Sequence, residues 1–149
     1  MIPPVVVDTN VLVAGLLTSR QAAPTAVILD AMIAGRLPPL LSLDLLTEYR
    51  TVLLRPAIAK RHGLSGEQVD AVLAEIVGCA IIEPTEVCPI DPPDPDDAHV
   101  WALLWARPEA LLITGDARLL AAAKDLPDVH ERVLKPAEFV ERWEGTLAP

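Results

Sequence analysis

Val5-Val6-Val7-Asp8-Thr9-Asn10-Val11-Leu12 changes character at its midpoint. Three β-branched residues, stiff at χ1 and apolar throughout, suit a strand buried on both faces. An acid closes the run, and residues 9–17 then follow a helical pattern. A strand that feeds a helix through one aspartate predicts the start of a strand–helix–strand unit in a parallel sheet. Asp8 then falls at the carboxyl end of a strand, where open parallel sheets bind ligands. An acid ending a buried strand is costly unless it is bound or hydrogen-bonded.

The alternation continues outward from this stretch. Residues 22–35 read as a helix, with Pro24 near its start and Gly35 as a C-cap. Residues 38–41 supply a second short strand. Ser42 caps a helix over 42–54, in which Leu45, Leu46, Tyr49, Val52 and Leu53 share a face and which Pro56 ends. Ser65 with Gln68 forms a capping box that opens a helix from 66 to about 77. Residues 80–82 make a third strand, and the prolines within 84–95 mark a loop. A helix over 96–106, a strand over 111–113, a helix over 117–124, a strand over 131–134 and a helix over 136–143 complete the chain. Strands alternating with helices predict an α/β fold, a parallel sheet with helices on both faces.

The 149 residues fit a single domain spanning 1–149. With 52% hydrophobic and 22% charged residues, the chain is not a disordered one. No apolar run approaches the roughly 18 residues of a membrane span. The opening residues carry no basic segment and Asp8 interrupts the apolar run behind them, so no secretory signal is expected. Cys79 and Cys88 are too few for a disulfide framework and too isolated for a zinc site, which makes a reducing cytoplasm the expected compartment. A net charge of −9 disfavours a protein that coats nucleic acid by counterion release. The charge is uneven: residues 1–75 hold 6 basic and 7 acidic side chains, residues 76–149 hold 6 and 14. A mean hydropathy of +0.37 is high for a small domain. It predicts either an exposed apolar face for a partner chain or homodimer, or a large aliphatic core.

Three acids fall at one edge of the expected sheet. Asp8 ends the first strand, Asp116 follows the fourth in Thr114-Gly115-Asp116, and Asp97 opens the helix after the proline loop. Glu48, inside the helix that follows the second strand, lies within topological reach. Singly, Asp116 reads as a helix cap and Asp97 as a first-turn acid favoured by the dipole. Together, acids without basic partners repel, and a hard divalent cation such as Mg²⁺ or Mn²⁺ relieves the repulsion. An ion so held acidifies a water and screens charge on a phosphate, which supports in-line phosphodiester hydrolysis with no Ser, Cys or His.

The segments around these acids resemble those of PIN-domain nucleases. The quoted stretch 5–12 resembles their opening. Leu45-Leu46-Thr47-Glu48-Tyr49 through Leu53-Leu54-Arg55-Pro56 resembles the second acidic segment, Asp94-Pro95-Asp96-Asp97 the third, and Ile113-Thr114-Gly115-Asp116 with Leu119-Leu120 the fourth. They occur in family order across about residues 5–140. The resemblance implies a three-layer α/β/α sandwich with a central parallel sheet of about five strands. It implies a Mg²⁺- or Mn²⁺-dependent endoribonuclease whose site and metal ligands are Asp8, Glu48, Asp97 and Asp116, with Asn10 and Thr114 as supporting groups. Nearest in look are the VapC-like toxins of toxin–antitoxin systems, which form homodimers and whose antitoxin occupies the active-site groove. Ala98 departs from the Asn that commonly follows Asp-Pro-Asp-Asp, and Asp94, Asp96 and Asp97 compete for the third position. Asp97, the last before the helix, aligns best.

Arg50, Arg55, Lys60, Arg61 and His62 cluster near Glu48 in sequence, as RNA-phosphate contacts or as a solvated helix end. His99 and His130 show no metal-ligand spacing and receive no chemical role. Trp101 and Trp105, at i and i+4, read as core or dimer contact. A phosphoryl-acceptor domain would want paired acids at the first strand and a late lysine, neither of which is present. A haloacid-dehalogenase-type phosphatase would want Asp where Asn10 stands, and a nucleotide-binding fold would want glycines there. DNA-cutting relatives carry insertions for which the chain is too short. The non-enzymatic alternative is a PIN-like module that binds RNA or protein without cutting, against which the four acids argue.

Overall fold

β1 (Val5–Val7) is the centre of the sheet in the computed structural model, which describes residues 2–84, 92 and 94–149. Most of the expected proline loop, with Cys88 and Asp91, lies outside the described residues. On one side β1 pairs in parallel with β4 (Leu111–Ile113), placing Val5 against Leu111 and Val7 against Ile113. β5 (Val133–Leu134) continues that ladder. On the other side a single parallel bridge, Val5 to Pro39, links β1 to β2 (Leu40–Leu41), which pairs with β3 (Ile81–Ile82). The five expected strands are therefore present, as a three-stranded and a two-stranded parallel ladder joined by one bridge. Pro3, Pro4, Pro38 and Pro39 lack N–H donors where β1 and β2 begin, which thins the seam between them. The chain runs β1, β2, β3 in one direction and then crosses back to β4 beyond β1. That reversal leaves a crevice at the carboxyl ends of β1 and β4.

Local signals set most helix limits. α1 (Thr9–Leu17) begins directly on Asp8. α2 (Pro24–Ile33) ends in a Schellman motif: Gly35 at φ 78° carries the left-handed turn, with Gly35 N–H on Met32 O at 3.3 Å and Arg36 N–H on Ala31 O at 2.9 Å. Ser42 Oγ caps α3 (Leu43–Leu53) by accepting from Leu45 N–H at 3.2 Å. Ser65 and Gln68 form the reciprocal capping box of α5 (Gly66–Cys79), at 3.1 and 2.9 Å. One helix is absent from the sequence reading, and the last helix, Pro136–Leu147, runs four residues past its expected end. Pro56 ends α3 but also opens α4 (Pro56–His62), because a proline at the first helical position loses no hydrogen bond. A 3₁₀ turn over Pro95–Asp97 leads into α6 (Ala98–Ala106), followed by α7 (Ala117–Lys124) and α8 (Pro136–Leu147).

Tyr49, Trp101 and Phe139 are the largest fully buried side chains, packed among the valines of β1 and the leucines of β2 and β4. Trp101 is thus a core residue, with Trp105 tilted against it at 5.7 Å between ring centroids. The high mean hydropathy goes chiefly into this core. Among the described residues, Leu43 and Ile82 are the large apolar side chains left exposed. No helix there is long and apolar enough to cross a membrane.

Candidate active site

Asp8 is the hub of the crevice. Its N–H extends the β1–β4 ladder to Ile113 O at 3.0 Å, and the residue is only 5% exposed. Oδ1 accepts from Thr9 N–H at 2.9 Å. Oδ2 accepts from Asn10 Nδ2 at 2.9 Å and from Thr114 Oγ1 at 2.7 Å. Burial pushes the carboxyl above the usual range, while the bonds from Thr114 and Thr9 oppose that rise. Asn10 turns its own oxygen to Gly115 N–H at 3.0 Å, and Thr114 Oγ1 accepts from Asp116 N–H at 3.0 Å. The start of α1 and the turn after β4 are thereby tied at three points. Asp116 Oδ1 caps α7 by accepting from Arg118 N–H at 2.8 Å.

Glu48 reaches the crevice from α3. Tyr49, its neighbour, fastens that helix to the sheet by donating its buried hydroxyl to Val7 O. Thr9 Oγ1 donates to Glu48 Oε2, and His99 Nε2 stands 3.5 Å from Glu48 Oε1. His99 first, with Thr9 adding to it, holds Glu48 below the ordinary glutamate range despite partial burial. The same contact raises the His99 ring.

Of the three neighbouring acids, only Asp97 joins this group. Asp94 has other partners: its Oδ1 accepts from Asp96 N–H at 2.9 Å and its Oδ2 from Arg118 Nη2 at 3.2 Å. Asp96 is exposed. Asp97 is half-buried, and burial, then repulsion from Asp8, Asp116, Asp94 and Glu48, push it up to about 6. Acids separated along the chain thus act on one carboxyl. Their all-oxygen donor set suits a hard divalent cation. Among the described residues, however, no group of three or more Asp, Glu, His or Cys side chains is arranged to hold an ion as it stands.

The basic candidates separate in space. Arg50 Nε is paired with Asp70 Oδ1 of α5 at 2.8 Å. Arg61 lines a groove of about 630 Å³ together with Thr9, Asn10, Val13, Leu17 and Val52. Arg55 is close enough for its charge to lower Glu48. Lys60 is exposed. His62 is structural, with Nε2 on Leu53 O at 2.8 Å and Nδ1 accepting from Leu64 N–H at 2.9 Å. Sequence reasoning passed over two side chains that touch Glu48, namely Thr9 and His99. The available signal was weak: Thr9 directly follows Asp8, and His99 sits two residues past Asp97.

The PIN domain model matches residues 4–118, a span that contains Asp8, Glu48, Asp97 and Asp116 and stops short of β5 and α8. No curated protein matches the chain. PIN domains are in general nuclease domains, typically metal-dependent and acting on RNA. The match takes in most of the chain and every segment that forms the acidic crevice, so this protein belongs to the PIN-domain family.

Proposed function

We propose that the protein is a divalent-metal-dependent endoribonuclease and the toxin of a VapC-like toxin–antitoxin pair. One observation carries the catalytic part: Asp8, buried and held by three donors at the β1–β4 crevice, shares its surroundings with Glu48, Asp97 and Asp116. A carboxylate so desolvated and so oriented is costly in isolation and useful beside a cation. Asp8, Glu48, Asp97 and Asp116 would hold Mg²⁺ or Mn²⁺, which supplies an acidified water and neutralises charge on the phosphate. Asn10 and Thr114 fix the direction of the Asp8 oxygens, as supporting partners of ligands do. Arg61 lines the groove beside Thr9 and Asn10, and Arg55 lies near enough to Glu48 for its charge to act there, which suits contact with RNA phosphates. The resemblance of the four acidic segments to VapC-like toxins supports a homodimer, an antitoxin partner and a cytoplasmic setting.

The test is incubation of the purified protein with mixed structured RNAs in Mn²⁺ or in EDTA, beside an Asp8→Asn/Asp116→Asn control. Expected is cleavage that needs the metal, vanishes in the control and leaves a 5′-phosphate and a 3′-hydroxyl. A 2′,3′-cyclic phosphate rules out this mechanism. No cleavage by metal-loaded, partner-free protein favours a binding module instead.

A further inference from the structure

Glu48 has both carboxylate oxygens engaged by side chains of the protein. Thr9 Oγ1 donates to Oε2 from α1, and His99 Nε2 faces Oε1 at 3.5 Å from α6. The His99 side chain is only 14% exposed, and among the described residues its Nδ1 is buried without a hydrogen-bond partner. An imidazole is often oriented through its second nitrogen by a carbonyl or carboxylate. Here Nδ1 supplies no such anchor, so the contact with Glu48 is what the ring and the carboxylate use to fix each other. A glutamate on a helix has three rotatable bonds before its carboxylate, and holding one setting costs rotamer entropy that contacts from other elements must offset. His99 also lies on the helix that Asp97 opens, so α6 sets the position of Asp97 and the direction of Glu48 together.

We propose that His99 is a positioning residue that, with Thr9, clamps the Glu48 carboxylate at the crevice for ion binding. The inference rests on the metal-dependent reading given above. It assigns His99 a supporting role and not that of an ion ligand, because its Nε2 is turned to Glu48 and its Nδ1 is buried.

The test is Mn²⁺ titration of the full-length protein, followed by the loss of the free-ion electron paramagnetic resonance signal, with thermal unfolding in EDTA as a check on folding. His99→Leu is expected to weaken Mn²⁺ binding by about tenfold or more, in the range seen on loss of a ligand's supporting partner. His99→Gln, which keeps an N–H donor, is expected to bind within a few-fold of the parent. Should His99→Leu fail to fold, Thr9→Val frees the other Glu48 oxygen and is expected to weaken Mn²⁺ to a similar degree. Parent-like binding by His99→Leu, or by Thr9→Val in its place, overturns the clamp. Equal loss in His99→Gln and His99→Leu overturns it too, since a donor alone then fails to restore the site. A parent that binds no Mn²⁺ removes the metal reading itself, and the clamp with it.

Discussion

Thr114 Oγ1 lies 2.7 Å from Asp8 Oδ2, so a residue just past the end of β4 steers the carboxylate at the end of β1. The two are 106 residues apart in the chain and meet because their strands pair directly. The same hydroxyl accepts from Asp116 N–H, which makes Thr114 a shared partner of two acids. Thr114→Val keeps the shape but strips Asp8 of a donor and Asp116 N–H of its acceptor. The expected loss is about 1–3 kcal/mol in urea unfolding, with Thr114→Ser restoring most of it. Unchanged stability in the valine variant would mean that these bonds carry no net weight.

Asp97 offers a pH test. Its folded value of about 6 lies above that of an aspartate in an unfolded chain. The folded, metal-free protein therefore keeps a proton that the unfolded chain gives up. That contribution is complete below about pH 4 and is lost as the pH rises through about 6. Asp97→Asn cannot titrate there. The stability of the variant relative to the parent, measured in EDTA, is expected to rise between about pH 4 and 7. The variant is also expected to cut no RNA while folding normally, and a flat stability difference would contradict the placement of Asp97 among the other acids.

Gly15 tests the packing of the helix that carries Thr9 and Asn10. A Cβ there would lie 2.7 Å from Thr25 O and 3.0 Å from Leu29 Cβ, and the first of these is backbone that cannot swing aside. Gly15→Ala is expected to destabilise the protein by about 1–3 kcal/mol through separation of α1 from α2. The change is read as a lower unfolding temperature, and an unchanged midpoint would show that the two helices part freely.

Arg50 and Arg61 should differ in RNA binding although they are alike in sequence. Arg50 is committed to Asp70, whereas Arg61 lines the groove beside Thr9 and Asn10. In an Asp97→Asn background, which is expected to bind without cutting, Arg61→Gln should weaken binding and lower the salt slope by about one. Arg50→Gln should leave both nearly unchanged. The reverse order would place the RNA on the α3–α5 side.

Much of the fold could be read from short stretches. The valine run, the serine caps at 42 and 65 and the Gly35 turn each act within a few residues, so their neighbours in sequence suffice to set the element. Pro56 shows the limit of that logic. A proline signals both the end of one helix and the first turn of the next, and only the following residues, in their packed setting, make α4. The seam between β1 and β2 was also hidden, since strand composition does not reveal that the ladder narrows to one bridge beside the prolines.

The sequence by itself determined the order of elements apart from α4, with Asp8 at the end of β1 and Asp116 just after β4, because periodicity and capping are local interactions. It also raised the expectation that the segments of four acids face one sheet edge. The tertiary structure alone decided that Asp94 is tied to Arg118, that Arg50 is diverted to Asp70, and that Thr9 and His99 enclose Glu48. These choices depend on contacts between residues far apart in the chain, whose partners are fixed only once the helices have packed on the sheet.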